Sequence, residues 1–330
     1  MSFAAEPAVL TTTAQLLAGV PPTTSSSFAL ENTTEWKHHR AAMGEQWLSL
    51  QRRLDAIKEW RQENIERERV PCKTLLYPFS GPDFLNAYAF FPSCNVYIMF
   101  GLENIGRVPA LETMSEQQTT QYLADMRVAL GDLLQRNYFI TSRMVEQLNT
   151  PSLRGVTPLL MATLGGLHLK VKSVESVTIG TTRGVKITFS SGMFQKDQVL
   201  YYFLQNAADG PLSKSPHFLS FITADKQAYT LIKSASYLLH LPEFSTIQKT
   251  LLDTSVFLLQ DDTGIPYKNI RDWQVTPYGK YLGTIEIFSY RFQPDLEALY
   301  KANPNAQPLS FPFGYLWRNE QSGLIVARKR

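Results

Sequence analysis

Residues 73–106 constrain the fold of this chain more than any other segment. Two short apolar runs, at 74–77 and 95–100, enclose a turn rich in proline and glycine and a helical stretch at 84–91. Each run has the length and composition of a buried strand. A strand, a helix and a second strand in this order predict a βαβ unit, which implies two parallel strands.

The pattern changes twice along the remaining sequence. Apolar and polar residues alternate between about 167 and 204, which predicts an antiparallel β-meander. Further elements follow: strands at 217–222, 256–260 and near 281–288, helices at 225–241, 245–254 and after Pro294, and a C-terminal hairpin of 311–317 and 324–328. We therefore predict an α/β fold, a mostly parallel three-layer sheet with an antiparallel β-meander inserted at about 167–204.

Two long amphipathic helices are predicted before the meander. The first spans about 34–66, with Thr34 as its N-cap and an apolar stripe that includes Trp47. We expect the stripe to pack on its own domain, and the alternative is a helix that docks a partner. The second helix runs from Ser115 to about Leu148, and Ser115 with Gln118 forms a capping box at its start.

Residues 1–33 are predicted to be a flexible tail, and residues 34–330 a single domain. A run of proline, serine and threonine at 21–27 offers little to bury. The tail has a second interpretation as the remnant of an export leader, because Ser2-Phe3-Ala4 has the small-x-small pattern that ends one. An exported or periplasmic location is therefore favoured over a cytoplasmic one.

The net charge and the motifs of the sequence limit the kinds of partner that the chain is predicted to bind. The formal net charge is only +3, so no nucleic-acid partner is predicted. No apolar run reaches the ~18 residues of a transmembrane span. The five histidines show no metal-ligand spacing, so no metal site is predicted. Cys72 and Cys94 are expected to be separate buried thiols rather than a disulfide. What remains is a small-molecule or protein partner.

Three turns that follow predicted strands carry the candidate site residues. The first holds Phe79, Ser80, Gly81 and Asp83, at the start of a helix where backbone N–H groups can meet an anion. Glu103 ends the second strand, about 20 residues after Gly81, which is the spacing of a carboxylate that binds ribose hydroxyls.

The third turn holds Asp261 and Asp262, with Tyr267 a few residues later. Adjacent carboxylates suit acid/base chemistry, because one raises the pKa of the other. Asp261, Asp262 and Asp83 are therefore the candidate catalytic residues. The candidate ligand-binding residues are Phe79, Ser80, Gly81, Glu103 and Tyr267.

Each turn also has a plain structural interpretation. Ser80 or Asp83 caps the helix, Glu103 is an exposed loop carboxylate, and Asp261 and Asp262 form an ordinary turn. The site hypothesis makes a geometric prediction that these interpretations do not. Because the carboxyl ends of parallel strands share one edge, Ser80 or Asp83 should lie within about 12 Å of Asp261 or Asp262.

The stretch TLLYPFSGPDFLN…NVYIMFGLE resembles the first βαβ unit of class I S-adenosylmethionine-dependent methyltransferases. The resemblance implies that Gly81, in the turn after strand one, and Glu103, at the end of strand two, hold the cofactor. Pro82 and Asp83 stand where that family has further glycines. The chain as a whole also resembles a family of bacterial proteins of unknown function.

Three functions are compatible with these observations. The first is binding of a small ligand or a partner at the strand ends, without turnover. The second is an enzyme that uses carboxylate acid/base chemistry, or a degenerate methyltransferase. The third is an exported structural or interaction protein whose N-terminal helix contacts a partner. Beyond the resemblance, nothing in the sequence specifies a cofactor.

Overall fold

The structure is a computed structural model that describes residues 6–23, 29–66, 68, 70–136, 148, 150, 152–192 and 196–330. The strands are β1 Thr74–Pro78, β2 Val96–Gly101, β3 Lys170–Ile179, β4 Thr182–Ser190, β5 Gln198–Leu204, β6 Ala228–Ile232, β7 Ser255–Gln260, β8 Gln274–Gly279 and β9 Gly323–Arg328. The helices are α1 Pro7–Leu17, α2 Thr34–Asn64, α3 Phe84–Phe90, α4 Glu116–Arg136, α5 Thr157–Gly166, α6 Asp209–Ser213, α7 Pro216–Ile222, α8 Ser245–Thr254 and α9 Pro294–Ala302.

The strands form one mixed sheet in the order β3-β4-β5-β2-β1-β6-β7-β9-β8. The five central strands, β5 to β7 in this order, are parallel to one another. The predicted meander forms one edge, where β3, β4 and β5 pair antiparallel. At the other edge β9 runs antiparallel to both β7 and β8. The predicted α/β class, with a mostly parallel core and antiparallel edge strands, is confirmed.

Helices cover both faces of the sheet. Leu75 of β1 packs in a core with residues of α1 to α5, such as Met43 and Leu160. Leu76, the next residue, packs in a second core with residues of α6 to α9, such as Leu251. Strands buried on both sides read as continuous apolar runs, which is why Leu75, Leu76 and Tyr77 follow one another without a charged residue. The three-layer arrangement follows from this alternation.

The prediction of a tail at residues 1–33 is wrong for residues 7–17, which form α1. The helix buries Leu10, Ala14, Leu16 and Leu17 against the first core. The Thr11 hydroxyl donates to the carbonyl oxygen of Val171 on β3 and accepts from its N–H. The threonines of α1 therefore serve in packing and hydrogen bonding. Residues 1–5 and 24–28 lie outside the described residues.

The long helix at 34–66 is confirmed as α2, and its apolar stripe faces the first core. The N-cap is Thr33 and not Thr34, because the Thr33 hydroxyl accepts from the N–H of Trp36. The capping box of Ser115 and Gln118 is confirmed by reciprocal bonds of 2.9 and 3.3 Å. The predicted continuation of α4 toward Leu148 falls mostly on residues 137–147, which lie outside the described residues.

Two predictions between β5 and β7 are wrong. Residues 217–222, expected as a strand, belong to α7, which Pro216 starts with its fixed φ. The expected helix at 225–241 is replaced by β6 and a loop, because residues 228–232 are buried on both faces. Because of this error, the sequence analysis did not predict β6, which is a central strand of the sheet.

The C-terminal part of the structure also differs from the prediction. Instead of a strand near 281–288, the chain forms β8 earlier, and Glu286–Arg291 is a 3₁₀ segment. Only the second arm of the predicted hairpin is a strand, β9, and it pairs with β7 and β8. The helices at 245–254 and after Pro294 are confirmed as α8 and α9.

The two cysteines form a disulfide, so the expectation of separate thiols is wrong. Cys72 precedes β1 and Cys94 precedes β2, and their Cα atoms lie 4.7 Å apart. Because β1 and β2 are adjacent and parallel in register, the residues before them are neighbours too. In the described part of the chain, no helix is long and apolar enough to cross a membrane.

Candidate functional site

Polar turns converge at the carboxyl ends of the five parallel strands. The strand registers pair Pro78 with Phe100, Gly101 with Leu204, and Ile232 with Gln260. The residues that follow β1, β2, β5, β6 and β7 therefore meet at one edge of the sheet. This is the edge at which open α/β sheets bind ligands.

A buried ionic cluster lies beneath this edge and joins the turns after β1 and β6. The Nζ atom of Lys233 lies 3.0 Å from Oδ2 of Asp83, and both side chains are almost fully buried. Tyr77 donates to the same oxygen at 2.8 Å, and the Asn86 amide donates to both oxygens. Asp83 also accepts from the N–H of Asn86 and so caps α3, as one interpretation of the sequence proposed.

Asp261 anchors the turns after β6 and β7. Its carboxylate accepts from the N–H of Ser234 at 2.8 Å and from the N–H and hydroxyl of Thr263 at 3.0 and 2.6 Å. Burial raises the pKa of Asp261, while these bonds and the charge of Lys233 oppose the shift. Burial lowers the pKa of Lys233, which the charges of Asp83 and Asp261 both oppose. One ammonium group is therefore attracted by carboxylates from two of the predicted turns.

The loop after β6 is strained. Ser234, Ser236 and Tyr237 have φ of 53, 52 and 56°, and Phe79 after β1 has φ of 57°. Such values are uncommon for residues with side chains, and they concentrate at ligand sites. Hydrogen bonds hold the loop in place: Ala235 donates its N–H to the Thr263 hydroxyl, and Tyr315 donates to the Ser234 carbonyl at 2.9 Å.

One side of this loop borders a cavity of about 90 Å³, which we call the Glu103 cavity. Its lining includes Phe79, Leu102, Glu103, Gln205, Asn206, Ser234, Ser236, Leu238 and Phe244. Tyr202 donates to Oε2 of Glu103 at 3.0 Å, and burial raises the pKa of this carboxyl. The Ser234 hydroxyl is buried and has no hydrogen-bond partner among the described residues.

The other side of the loop borders a second, much smaller cavity of about 20 Å³, the Asp262 cavity. The Tyr237 hydroxyl donates to the Asp262 carboxylate. Burial, and next the charge of Asp261, raises the pKa of Asp262 to about 7. A carboxyl group with such a pKa exchanges protons near neutral pH, which suits it to acid/base chemistry.

The predicted site residues other than Gly81 lie in four places. Phe79 and Glu103 line the first cavity, and Asp261 and Asp262 line the second. Ser80 and Asp83 are buried behind the edge, where the Ser80 hydroxyl donates to the carbonyl oxygen of Gly81. Tyr267 lines neither cavity and packs against the second core. Asp83 connects the turns after β1 and β6 through its ion pair with Lys233. Asp261 connects the turns after β6 and β7 through its hydrogen bonds with Ser234 and Thr263.

Sequence reasoning missed Lys233, Ser234, Ser236 and Tyr237. All four follow β6, which the sequence analysis assigned to a helix. The signal that identifies them is the apolar run AYTLI, rich in β-favouring residues, which is followed by a lysine and the three small residues of KSAS.

Comparisons with known proteins do not identify the chain. No protein-family model matches the sequence, and no curated protein matches it. Among the described residues, no group of three or more His, Cys, Asp or Glu side chains is arranged to hold a metal ion.

Proposed function

We propose that the chain binds a nucleoside-bearing ligand of the S-adenosylmethionine type in the Glu103 cavity. The observation that carries the proposal is the position of Glu103. A buried carboxylate at the end of the second strand of a βαβ unit, lining a cavity, is suited to accept hydrogen bonds from the two hydroxyls of a ribose.

The topology around the cavity supports a nucleotide-type site. The parallel strands follow one another along the chain as β1, β2, β5, β6 and β7. Numbered one to five in that sequence, they lie in the sheet in the order 3-2-1-4-5. Helix α3, which connects β1 to β2, packs in the first core, and α8, which connects β6 to β7, packs in the second. The connecting helices on the two sides of the boundary between β1 and β6 therefore lie on opposite faces of the sheet. Sheets with this strand order bind nucleotides at such a switch point.

The chemistry of the lining favours a ligand without phosphates. Gly81 has a positive φ and allows a tight turn, but Pro82 has no N–H to offer an anion. Phe79 and Phe244 contact each other edge to face at 5.8 Å and provide an apolar wall for a base. Gly101 makes room for the carboxylate, because a Cβ there would lie 2.5 Å from Oε2 of Glu103. The lining residues therefore match the ribose and the base of a nucleoside in their chemistry.

Methyl transfer is the catalytic activity that the topology favours. Without the inserted β3 and β4, the order of the seven remaining strands is 3-2-1-4-5-7-6, with the last strand, β9, antiparallel. The class I methyltransferases that residues 73–106 resemble share this order. Such a likeness bears on the fold and not on the chemistry, so activity is a separate proposal. S-adenosylmethionine supplies an electrophilic methyl group when bound, and Glu103 and Phe79 would orient the nucleoside.

Calorimetric titration tests the binding proposal. We expect S-adenosylmethionine, S-adenosylhomocysteine or adenosine to bind, and 2′,3′-dideoxyadenosine to bind at least tenfold more weakly than adenosine. Glu103→Gln should weaken adenosine binding about 10- to 100-fold, because a hydrogen bond to a charged group contributes about 1.5–3 kcal/mol.

Glu112→Gln is the matched control, because Glu112 is exposed and lies outside the lining of the Glu103 cavity. Its affinity for adenosine should equal that of the unmodified protein. Failure of all four compounds to bind at millimolar concentration, or equal binding with and without the ribose hydroxyls, would refute the proposal.

A further inference from the structure

A third cavity, of about 680 Å³, lies between the loop after β2, the first turns of α4 and the segment before α5. We call it the Arg107 cavity, after one of the two arginines that line it. The other is Arg154. Its volume is in the range of small-molecule sites. It shares no described lining residue with the Glu103 cavity, so the inference below does not rest on the proposed function.

The backbone places the two arginines side by side. They flank Gly106 and Gly155, which lie so close together that a Cβ on Gly155 would be 2.3 Å from the nitrogen of Gly106. Two backbone hydrogen bonds of 2.9 Å, from the N–H groups of residues 156–157 to the carbonyl oxygens of residues 104–105, fix this crossing. Two like charges therefore start from neighbouring points of the backbone, and an anion between them would relieve their repulsion.

The charge of the cavity lining is positive. Both arginines line it, and no aspartate or glutamate does so among the described residues. Arg107 is exposed and makes no hydrogen bond or ion pair with a described residue. Glu112 and Glu116 line a neighbouring cavity, which meets this one at Met114 and Thr120. Negative charge therefore lies beyond Met114, and the place for an anionic group is the arginine end.

Apolar side chains form another part of the lining. Val108, Pro109 and Ala110 belong to the loop after β2, Met114 precedes α4, and Leu153 precedes α5. A small inorganic anion at the arginines would leave these side chains in contact with water. A ligand with an apolar body would cover them, and the burial of apolar surface would strengthen its binding.

We propose that the Arg107 cavity binds an amphiphilic organic anion, in which an apolar chain carries a carboxylate or a phosphate group. The guanidinium group of arginine binds both kinds of group through paired N–H donors. The charged group pairs with Arg107 and Arg154, and the chain lies against the apolar side chains between Val108 and Met114.

Octanoate, octyl phosphate and octan-1-ol provide a direct test, because they have the same chain and differ in the group at its end. We expect both anions to bind the purified full-length protein at least tenfold more tightly than the alcohol, as measured by calorimetry at low salt. The anion that binds more tightly identifies the charged group that the site prefers. If neither anion binds more tightly than the alcohol, or neither binds at millimolar concentration, the proposal is overturned.

The length of the chain tests the apolar half of the site. Butanoate keeps the carboxylate and loses four methylene groups, so it should bind at least tenfold more weakly than octanoate. Sodium chloride should weaken the binding of octanoate and leave that of octan-1-ol unchanged, because salt screens exposed charges. Equal affinities of butanoate and octanoate would show that the apolar side chains do not contact the ligand.

A matched pair of variants at Ala110 tests the charge of the cavity. Ala110 is exposed and precedes a 3₁₀ turn, a position that accepts aspartate and asparagine equally well. Ala110→Asp should weaken octanoate binding at least tenfold by repulsion, and Ala110→Asn, which has nearly the same shape, should retain it. Thermal melts establish that both variants are folded. Equal octanoate affinities of the two variants contradict the proposal.

Arg107→Gln tests the arginine itself. This variant should bind octanoate at least fivefold more weakly, whereas Arg183→Gln, at an exposed position outside the lining, should bind it normally. Full octanoate affinity of Arg107→Gln contradicts the proposal. Glu103→Gln leaves this lining intact, so octanoate should bind that variant normally. If octanoate binds and adenosine does not, the proposed function fails alone, and the opposite result overturns only the anion site.

Discussion

At the scale of single residues, Asp83 shows what a local pattern can and cannot reveal. Its position before α3 predicted a helix cap, and the structure confirms that cap. The same carboxylate also pairs with Lys233, which follows a strand that the sequence analysis assigned to a helix. A cap depends on residues three positions apart, whereas the ion pair depends on two strands being adjacent. Only the first of these can be predicted from local spacing.

Lys233→Met tests the structural role of the cluster. Removing one partner of a buried ion pair leaves the other charge uncompensated, and we expect a loss of about 3–5 kcal/mol in the free energy of unfolding. Urea denaturation measures this loss. Lys226→Met is the control, because Lys226 is exposed, and its effect should stay within about 0.5 kcal/mol. A Lys233 variant as stable as the unmodified protein would contradict this role.

Asp262 gives a prediction about pH. Its pKa is raised to about 7 in the folded chain, from an ordinary value near 3.9, so the protonated form is favoured. The associated stability is fully present below about pH 4 and is lost as the pH rises through 7. The ionisable groups that face Asp262 are Asp261, Tyr237, Tyr281, Tyr300 and Lys280.

Asp262→Asn removes this loss, because the amide does not ionise. Relative to the unmodified protein, the variant should gain about 2–3 kcal/mol of stability between pH 5 and pH 8, at ~1.4 kcal/mol per pH unit below the pKa. Urea denaturation of both proteins at the two pH values gives the difference. A difference that does not change with pH would show that Asp262 stays ionised in the folded chain.

At the scale of elements, α2 and β6 show why one prediction succeeded and another failed. Helix α2 has 31 residues, and its buried residues from Trp36 to Trp60 recur at helical spacing, so a helix is predicted from the sequence. Strand β6 has five residues, all buried, and periodicity cannot distinguish so short an apolar run from a helix segment. Helix α1 was missed for a different reason, since the run of proline, serine and threonine at 21–27 was extended to the whole of residues 1–33. The three threonines of α1 in fact contribute buried atoms or hydrogen bonds.

Trp47 tests the packing of α2 against α1. Its indole N–H donates to the carbonyl oxygen of Ala18 at 2.9 Å, and its ring covers Gly166. Trp47→Ala should cost about 3 kcal/mol, the lower end of the range for a large aromatic ring, because Trp47 is only partly buried. Leu48→Ala, at a position 76% exposed, should change the melting temperature little. Equal melting of the two variants would indicate that Trp47 faces a partner instead.

At the scale of the whole molecule, the α/β class and the meander could be predicted, because both follow from long runs of periodicity. The two cavities could be predicted only in part. Glu103 and Asp262 were identified because each ends a strand, but the loop that separates the cavities comes from the misassigned β6. The disulfide was also missed, since pairing of Cys72 and Cys94 depends on the register of β1 with β2.

The disulfide leads to a prediction about global stability. It closes a loop of 22 residues at the amino ends of β1 and β2. Replacing both cysteines by serine should lower the free energy of unfolding by about 3 kcal/mol, chiefly because the unfolded chain gains freedom. Reduction of the unmodified protein by dithiothreitol should have a similar effect. Unchanged unfolding curves under reduction would mean that the thiols do not pair in solution.

The burial of Lys233 has a consequence for how the chain reaches this sheet. Shifting β6 by one residue against β1 would exchange the faces of its side chains and remove the ammonium from Asp83. An unpaired ammonium in an apolar interior is very costly, whereas a misplaced leucine is not. The cluster therefore discriminates against misaligned sheets, because only the native register brings the ammonium to its carboxylate.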